Sequence, residues 1–456
     1  MMSFSEINAY TKEKLKDPNL YSEPEHSYLK IYQHAFRYAL TERYQPLRHY
    51  FYLPIFLQSF IYRIKGFRKK IQPIKIKDYL LLDYNRVVND NGQWHYIYYD
   101  KIIQLIGAEN VSVLSTTQKT YINPDIPSSV LQRPLPGLDA TELKLLKSIN
   151  RSIRKARKSN LLSPWEMKHL CTQMLLFFHD FRQYYRLLKD QDIKHVILIC
   201  HYHREGLFAA MKELNIEHTE LQHGLIAAND LYYVYDKQYA SAIPKALFPK
   251  RIVVYGPYWK RILERGCEFK PEQIFIGGDY LYRLHRPQHD VNAKENIILL
   301  CVQKEMNPDY IRYGTILAAF MKNHPDWRVI VKLHPSQDNK EEYDQLKQYG
   351  YQILDREIPL DELLAKAKIQ ITIYSTTVYD ALGFDVMNFC LQDFGLMRDY
   401  AKDMISEGAA LPLYEHEDPI AKYEEIMKSD DGIRFLPRED VYAPFQPEVF
   451  KKILNL

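Results

Sequence analysis

A histidine and a glycine, His223 and Gly224, directly follow a short apolar run in the segment LQHGLI. An unperturbed imidazole titrates at about pH 6.5, so a histidine in this position suits a general base that removes a proton from a hydroxyl. The glycine lets a ligand approach the backbone closely, and Gln222 adds an amide beside it. We predict that His223 is a catalytic base. A histidine that only caps backbone groups is the structural alternative.

A second polar cluster, HYHREG, follows the apolar run HVILIC. Its members His201, His203, Arg204 and Glu205 suit the binding of an anionic substrate, and His203 or Glu205 is an alternative base. The cluster is also suited to capping a helix that begins near Glu205. The spacing of the two histidines permits metal binding, but no further ligands follow at zinc-like spacing, so we predict no metal site.

Two further clusters lie in the C-terminal half. In KLHPSQ, Lys332 and His334 leave an apolar run and suit contact with a phosphate, and Pro335 rigidifies the loop. In YSTTVYDAL, three hydroxyl residues open a predicted helix, namely Ser375, Thr376 and Thr377. Hydroxyls and free backbone N–H groups at a helix N-terminus favour an anion. Ordinary capping by Ser375 is the alternative.

The elements that position these clusters are short apolar runs alternating with helical segments. Predicted strands include HVILIC, RIVVYG, NIILLCV and IQITIY, and EEYDQLKQYG is among the predicted helices. Such alternation predicts parallel sheets covered by helices, and ligands bind beyond the carboxyl ends of such strands. We predict an α/β fold with two doubly wound Rossmann-like domains facing a cleft and extra N-terminal helices. The predicted segments are a helical N-terminus (1–75), a first domain with a helical insertion (76–285) and a second domain (286–456).

The composition of the chain indicates its cellular compartment and which classes of partner it does not bind. The 456 residues have a net charge of +4, which does not indicate a nucleic-acid-binding protein. Five cysteines without a CxxC pair indicate reduced thiols, and the N-terminal residues have no apolar signal region. We therefore expect a cytoplasmic protein.

The segment 37–77 is strongly basic, with ten Lys and Arg against one Glu, and contains the aromatic run YFYLPIFLQSFIY. Cations flanking an apolar and aromatic stretch favour attachment to an anionic membrane surface. The alternative is an apolar helix packed into the first domain with its charges in water.

The motifs LQHG, KLHPSQ and IYSTTVYDAL, with RIVVYGPYWKRILERG and IFIGGDY between them, resemble those of capsule-polysaccharide and related GT-B transferases. This group includes users of CMP-Kdo and CMP-sialic acid and the CDP-glycerol polyol-phosphate polymerases. The resemblance covers roughly residues 195–395. One departure is Gln222, where the polyol-phosphate members favour a tryptophan before the His-Gly pair.

The resemblance implies that the C-terminal domain holds a donor nucleotide and that the N-terminal domain holds the acceptor. It implies donor contacts through His334, Ser375 and Thr376, with Asp380 near the ribose, and a base role for His223. We add Gly224, Lys332, Pro335 and Thr377 to the donor contacts, and assign His201, Arg204 and Gln222 to the acceptor.

The function expected from this resemblance is metal-independent, inverting transfer of a sugar, with a CMP-linked donor favoured, to a glycan or lipid-linked acceptor in surface polysaccharide synthesis. No cofactor is expected. Three alternatives stay open: CDP-polyol phosphotransfer, UDP-sugar 2-epimerisation on the same fold, and a non-catalytic glycan-binding protein.

Overall fold

The chain forms two compact units in a computed structural model. Of the described residues, those within Arg283–Tyr442 form the C-terminal unit, and those up to Tyr282 form the N-terminal unit together with Ala443–Leu456. The structure describes residues 75–83, 87–90, 93–115, 128–130, 147, 151, 164–202, 204–228, 230, 232–235, 237, 247–282, 294–303, 306–334, 340–355, 358–394, 398–429 and 435–456.

The N-terminal unit is built on a parallel sheet with the strand order β5-β4-β1-β6-β7-β8-β9, and β2 and β3 form a separate antiparallel hairpin. Its strands are β1 (Tyr79–Asp83), β2 (Val87–Asp90), β3 (Gln93–Tyr96), β4 (Val111–Ser115), β5 (Ser128–Val130), β6 (His195–Ile199), β7 (Glu217–Leu221), β8 (Arg251–Val254) and β9 (Ile274–Ile276). Its helices include α1 (Asp100–Ile106), α2 (Pro164–Leu188), α3 (Glu205–Glu213) and α4 (Pro257–Leu263). Every residue of β4 and β6 is buried, because helices and loops cover both faces of the sheet.

The C-terminal unit repeats this plan with the parallel order β12-β11-β10-β13-β14-β15. Its strands are β10 (Glu295–Cys301), β11 (Arg328–Lys332), β12 (Gln352–Leu354), β13 (Ala367–Thr372), β14 (Met387–Leu391) and β15 (Leu411–Leu413). The helices are α5 (Asn307–Met321), α6 (Leu360–Lys366), α7 (Thr377–Ala381), α8 (Arg398–Ser406), α9 (Pro419–Lys428) and α10 (Arg438–Val441), with a 3-10 segment at Lys340–Tyr349. The two sheets confirm the predicted fold class of two doubly wound α/β domains.

The end of the chain departs from the predicted boundaries. The predicted second domain, 286–456, continues to the last residue, but the C-terminal unit stops at Tyr442 and helix α11 (Pro447–Leu454) packs on the N-terminal unit. The ring of Phe450 lies 5.7 Å from that of Tyr280, and the Tyr79 hydroxyl donates to the Leu454 carbonyl at 3.1 Å. Burial of the apolar face of α11 explains the return of the chain.

The predicted N-terminal helices (1–75) lie outside the described residues, except for Lys75. The same holds for the basic segment 37–77, apart from its last three residues, of which Ile76 is buried in the core of the N-terminal unit. Within the described part of the chain, no helix combines the length and the apolar character needed to cross a membrane.

Candidate active site at the carboxyl end of the N-terminal sheet

The loop that leaves β7 carries His223 and is shaped by the residue before it. Gln222 is buried; its amide nitrogen donates to the Gly224 carbonyl at 2.8 Å, and its oxygen accepts from the Tyr255 backbone N–H at 3.0 Å. Both ends of the amide therefore hold backbone groups. In this structure Gln222 shapes the loop, and the contact with an acceptor that we predicted for it stays a prediction.

His223 is half-buried, with its imidazole between two tyrosine hydroxyls. Its Nε2 lies 3.1 Å from the Tyr202 hydroxyl, and its Nδ1 lies 3.5 Å from the Tyr233 hydroxyl. The Tyr98 hydroxyl donates to the His223 backbone carbonyl at 2.9 Å and fixes the main chain. Both ring nitrogens therefore face groups that can donate or accept a proton, as a general base requires.

Gly224, the next residue, borders open space. A methyl group built on its Cα would meet no atom of the described residues within 4 Å. A ligand can therefore approach this stretch of backbone without displacing side chains. Whether a donor contacts Gly224 stays a prediction.

A fully buried ion pair lies behind this loop. His201, at the end of the neighbouring strand β6, places Nδ1 2.5 Å from Oε2 of Glu220 on β7, and both side chains have 0% exposure. The His201 Nε2 donates to the Tyr232 carbonyl at 2.8 Å. Because both imidazole nitrogens are engaged inside the protein, the acceptor contact predicted for His201 is not available in this structure.

Glu220 is ionised, although it is buried. Burial alone would raise the pKa of Glu220, but the charge of His201 and the hydrogen bonds from His201 and Tyr233 outweigh burial and lower this pKa. The Tyr233 hydroxyl donates to Oε1 at 2.7 Å, and the His201 backbone N–H donates to the same oxygen at 3.2 Å. Burial, followed by the charge of Glu220, raises the pKa of Tyr233 well above its ordinary value, so Tyr233 stays a neutral donor.

A left-handed residue makes this arrangement possible. Cys200, directly after β6, has φ +61°, a conformation that costs a non-glycine residue roughly 1–3 kcal/mol. The bend at Cys200 turns the chain so that His201 points back to Glu220 while the Tyr202 hydroxyl reaches His223. The Tyr202 ring stacks on Tyr232 with ring centroids 4.5 Å apart.

The rest of the HYHREG cluster begins α3. Arg204 is buried and precedes the helix without a side-chain capping bond, and half-buried Glu205 is the first helical residue. At Gly206 a methyl group would lie 2.4 Å from the Phe181 backbone nitrogen, so only glycine allows α3 to pack this closely on α2. The roles predicted for Arg204 and Glu205 stay predictions, and His203 lies outside the described residues.

In the C-terminal unit, the ammonium of Lys332 contacts two backbone carbonyls. Its ammonium donates to the Asp355 carbonyl and, at 2.6 Å, to the Ile358 carbonyl. Burial lowers the pKa of Lys332, and the nearby Cys301 and Asp355 only partly oppose this effect. Lys332 therefore holds the loop after β12, and its predicted donor contact stays a prediction. His334 follows β11 and is half-buried, and Pro335 lies outside the described residues.

The hydroxyl cluster after β13 also makes local contacts. The Ser375 hydroxyl accepts from the Thr377 backbone N–H at 3.3 Å, and the Thr377 hydroxyl accepts from the Gln370 amide at 2.8 Å. Asp380 accepts from the Tyr442 hydroxyl at 3.1 Å. Ser375 lies one residue before the N-cap of α7, Thr376, and this helix has no side-chain capping bond. The donor contacts predicted for Ser375, Thr376, Thr377 and Asp380 stay predictions.

Three residues of the His223 site, Tyr202, Glu220 and Tyr233, were not predicted from the sequence. Glu220 left one clue, because a carboxylate within the buried strand EHTEL requires a partner. The tyrosine-rich segment that contains Tyr232 and Tyr233 had no assigned role.

No group of three or more His, Cys, Asp or Glu among the described residues is arranged to hold a metal ion. No protein-family model and no curated protein matches the chain.

Several solved structures have a similar fold. The UDP-GlcNAc 2-epimerase from Neisseria meningitidis bound to UDP-GlcNAc has a TM-score of 0.48 and 10% identity, covering 83% of this chain and 98% of its own. The epimerase from Methanocaldococcus jannaschii has a TM-score of 0.47 and 11% identity, covering 83% and 98%. A glycosyltransferase from Rickettsia africae has a TM-score of 0.45 and 12% identity, covering 83% and 99%. Similarities this weak do not indicate the activity or the substrate of this chain.

Proposed function

We propose that the chain is an inverting glycosyltransferase of the GT-B type that moves a sugar from a nucleotide-activated donor to a hydroxyl of a glycan or glycolipid acceptor. The observation that carries the proposal is the setting of His223, half-exposed beyond a parallel strand, beside open backbone at Gly224, and backed by Tyr233 and Glu220. A base held in this way suits the deprotonation of a hydroxyl nucleophile.

The chemistry is a single displacement. His223 Nε2 takes the proton of the acceptor hydroxyl while the hydroxyl oxygen attacks the anomeric carbon of the donor. The bond from that carbon to the phosphate oxygen breaks, and its electron pair leaves with the nucleotide. Attack from the face opposite the leaving group inverts the anomeric configuration.

On this proposal the C-terminal unit binds the donor. His334 follows β11, and Ser375 and Thr376 follow β13, so all three lie at the carboxyl edge of one parallel sheet, where ligands of this fold class bind. The motif resemblance favours a CMP-linked sugar and a place in surface polysaccharide synthesis. Lys332 is left out of the donor contacts because its ammonium holds a loop.

Turnover tests the proposal directly. CMP-, CDP-, UDP- and GDP-linked sugars are first screened by thermal shift, since a ligand that binds only the native state raises its stability. Transfer from the stabilising donor to glycan acceptors is then compared for the wild type, His223→Ala and His416→Ala. His416 is an exposed histidine of the C-terminal unit and serves as the matched control.

We expect His223→Ala to lower the transfer rate about 100-fold or more, the scale of general-base catalysis, with an unchanged melting temperature. His416→Ala should match the wild type. Conversion of the free nucleotide sugar without an acceptor would indicate an epimerase instead. Release of a nucleoside monophosphate together with a transferred polyol phosphate would indicate a polyol phosphotransferase.

We also propose a cytoplasmic location with peripheral attachment through the basic segment 37–77. Ten cations around an aromatic run should bind anionic vesicles at low salt and release them at high salt. Replacement of Arg68, Lys69 and Lys70 by Glu should abolish sedimentation with such vesicles. A wild-type protein that stays in the supernatant with anionic vesicles at low salt would contradict the attachment.

A further inference from the structure

Four side chains form a continuous series of contacts from the protein interior to His223, and we call this series the relay. His201 binds Glu220 at 2.5 Å, Tyr233 binds Glu220 at 2.7 Å, and His223 Nδ1 lies 3.5 Å from Tyr233. His201, Glu220 and Tyr233 are almost completely buried, and His223 is half-exposed. The series therefore connects a buried carboxylate with the one member that reaches the surface.

We propose that Glu220 and Tyr233 are positioning residues that hold His223 in the tautomer with a proton on Nδ1 and a bare Nε2. The proposal rests on the proposed function of His223 as the base. It names the nitrogen that accepts the proton and the groups that select it.

The proton positions follow from what each group can donate. The carbonyl of Tyr232 only accepts, so the Nε2 of His201 carries a hydrogen. The Nδ1 of His201 faces ionised Glu220 and donates to it, which leaves the other oxygen of Glu220 for the Tyr233 hydroxyl and the His201 backbone N–H. All these donors point at one carboxylate.

The direction of the hydrogen bond from Tyr233 to Glu220 fixes which nitrogen of His223 carries the proton. The Tyr233 hydroxyl has one hydrogen, which is directed to Glu220, so the oxygen presents a lone pair toward His223. The Nδ1 of His223 must then be the N–H donor. The 3.5 Å separation is at the outer limit of a hydrogen bond, and such contacts between catalytic groups often shorten when substrate binds.

At Nε2, the other ring nitrogen of His223, the imidazole accepts a hydrogen bond instead of donating one. When Nδ1 carries the proton, Nε2 has a free lone pair, and the Tyr202 hydroxyl at 3.1 Å can donate to it. A hydroxyl of a bound acceptor would reach the same lone pair. The ion pair of His201 and Glu220 is neutral as a whole, so we expect the relay to act mainly by orienting the imidazole and polarising Tyr233.

The direct test is the tautomer itself, read from the nitrogen shifts and two-bond couplings of ¹⁵N-histidine-labelled protein. The spectrum is recorded at a pH where His223 is neutral, and His223→Gln identifies its signals. We expect the wild type to show a protonated Nδ1 and a bare Nε2. Tyr233→Phe, which removes only the linking hydroxyl, should give a mixture of both tautomers.

Tyr235→Phe is the matched control. Tyr235 is fully buried two residues further along, and its hydroxyl contacts no hydrogen-bonding group of the described residues. The same change at Tyr235 should leave the His223 spectrum and the kinetics at wild-type values.

The kinetics give an independent readout. Tyr233→Phe should lower kcat about 10- to 100-fold, within the range of general-base effects, and leave the donor KM within about twofold. The acid limb of its rate profile should move to lower pH, because the imidazolium loses the acceptor of its Nδ1–H. A purely structural tyrosine would not move this limb.

Two variants of Glu220 complete the test. Glu220→Gln can keep its oxygen toward Tyr233 and its amide N–H toward His201, so we expect the His223 tautomer to be retained. Glu220→Leu removes the acceptor and should randomise the tautomer if the variant folds. If Glu220→Leu does not fold, the Tyr233→Phe variant still tests whether the relay sets the tautomer of His223.

The outcomes separate this inference from the proposed function. A wild-type His223 with a bare Nδ1, or Tyr233→Phe with unchanged tautomer and kcat, would overturn the relay even in an active transferase. The predicted tautomer, lost in Tyr233→Phe but not in Tyr235→Phe, would support the relay even if no sugar were transferred.

Discussion

The two parallel sheets carry polar residues at equivalent edges, but these residues have different surroundings. Beyond β6 and β7, side chains join one another in a series that ends at half-exposed His223. Beyond β11 and β13, the described contacts of Lys332, Ser375 and Thr377 serve the backbone or a neighbouring side chain. A strand end therefore places a polar residue at the right edge, while its partners decide whether it is available for chemistry.

The largest effect that we expect from this contrast is a loss of stability when the buried ion pair of His201 and Glu220 is broken. His201→Leu leaves the carboxylate of Glu220 buried without its charged partner, so we expect the free energy of unfolding to fall by about 3–5 kcal/mol at neutral pH. Denaturant unfolding with two spectroscopic probes measures this loss. Lys250→Leu, which breaks a half-exposed ion pair with Glu217, is the control and should cost about 1 kcal/mol or less.

The same pair predicts a pH dependence. The pKa of Glu220 is lowered in the folded wild type, so its contribution is present above the ordinary value of 4.5 and is lost as the pH falls through the folded pKa. In His201→Leu the unpaired carboxylate instead destabilises the fold until it is protonated. The stability gap between the two proteins should therefore narrow on acidification from about pH 7 to pH 4, and a constant gap would contradict an ionised Glu220.

In the C-terminal sheet, Lys332→Met separates loop support from phosphate binding. The change leaves the Asp355 and Ile358 carbonyls without their donor, so the free energy of unfolding should fall by about 1–3 kcal/mol. Donor affinity in calorimetry should change by no more than about twofold if only the loop is affected. A loss of affinity with unchanged stability would restore Lys332 as a phosphate ligand.

A double change at the hydroxyl cluster tests donor binding itself. Ser375→Ala with Thr376→Ala should weaken donor binding about tenfold, which corresponds to the loss of about one hydrogen bond to a charged group. Thr315→Ala, on the exposed face of α5 in the same unit, is the control. Equal affinity in calorimetry for the double variant and the wild type would contradict a role of these hydroxyls in donor binding.

The smallest effect is expected at Tyr202. Tyr202→Phe removes the hydroxyl that faces Nε2 of His223, so a bound acceptor no longer has to displace this hydroxyl. The kcat/KM for the acceptor should therefore rise about two- to fivefold, which corresponds to less free energy than one full hydrogen bond. The melting temperature should stay unchanged. A tenfold loss of kcat would show that Tyr202 takes part in the transfer.

The fold was largely predictable, because buried strands of a parallel sheet are continuous apolar runs. HVILIC, RIVVYG, NIILLCV and IQITIY each became a strand whose bounds differ from the predicted ones by at most two residues. The segment EEYDQLKQYG, predicted as a helix, lies within a 3-10 segment instead. Helix α11 could not be assigned to its unit, because its contacts with Tyr79 and Tyr280 join residues far apart in sequence.

The site was predictable only in part. A position after a strand is a local property, and it placed His223 and Ser375 at carboxyl edges. The pairing of His201 with Glu220 depends on the register of β6 beside β7 and on the bend at Cys200, which no local pattern in HYHREG indicates. For the same reason the carbonyl partners of Lys332 could not be inferred from KLHPSQ.

The return of α11 also has a consequence for protein synthesis. The Tyr79 hydroxyl and the Leu454 carbonyl are 375 positions apart, and Phe450 covers part of the core next to Tyr280. A ribosome must therefore make the entire C-terminal unit before the N-terminal unit can be completed. Until then the nascent chain exposes the apolar surface that α11 later covers, and apolar surface exposed in this way during synthesis favours aggregation.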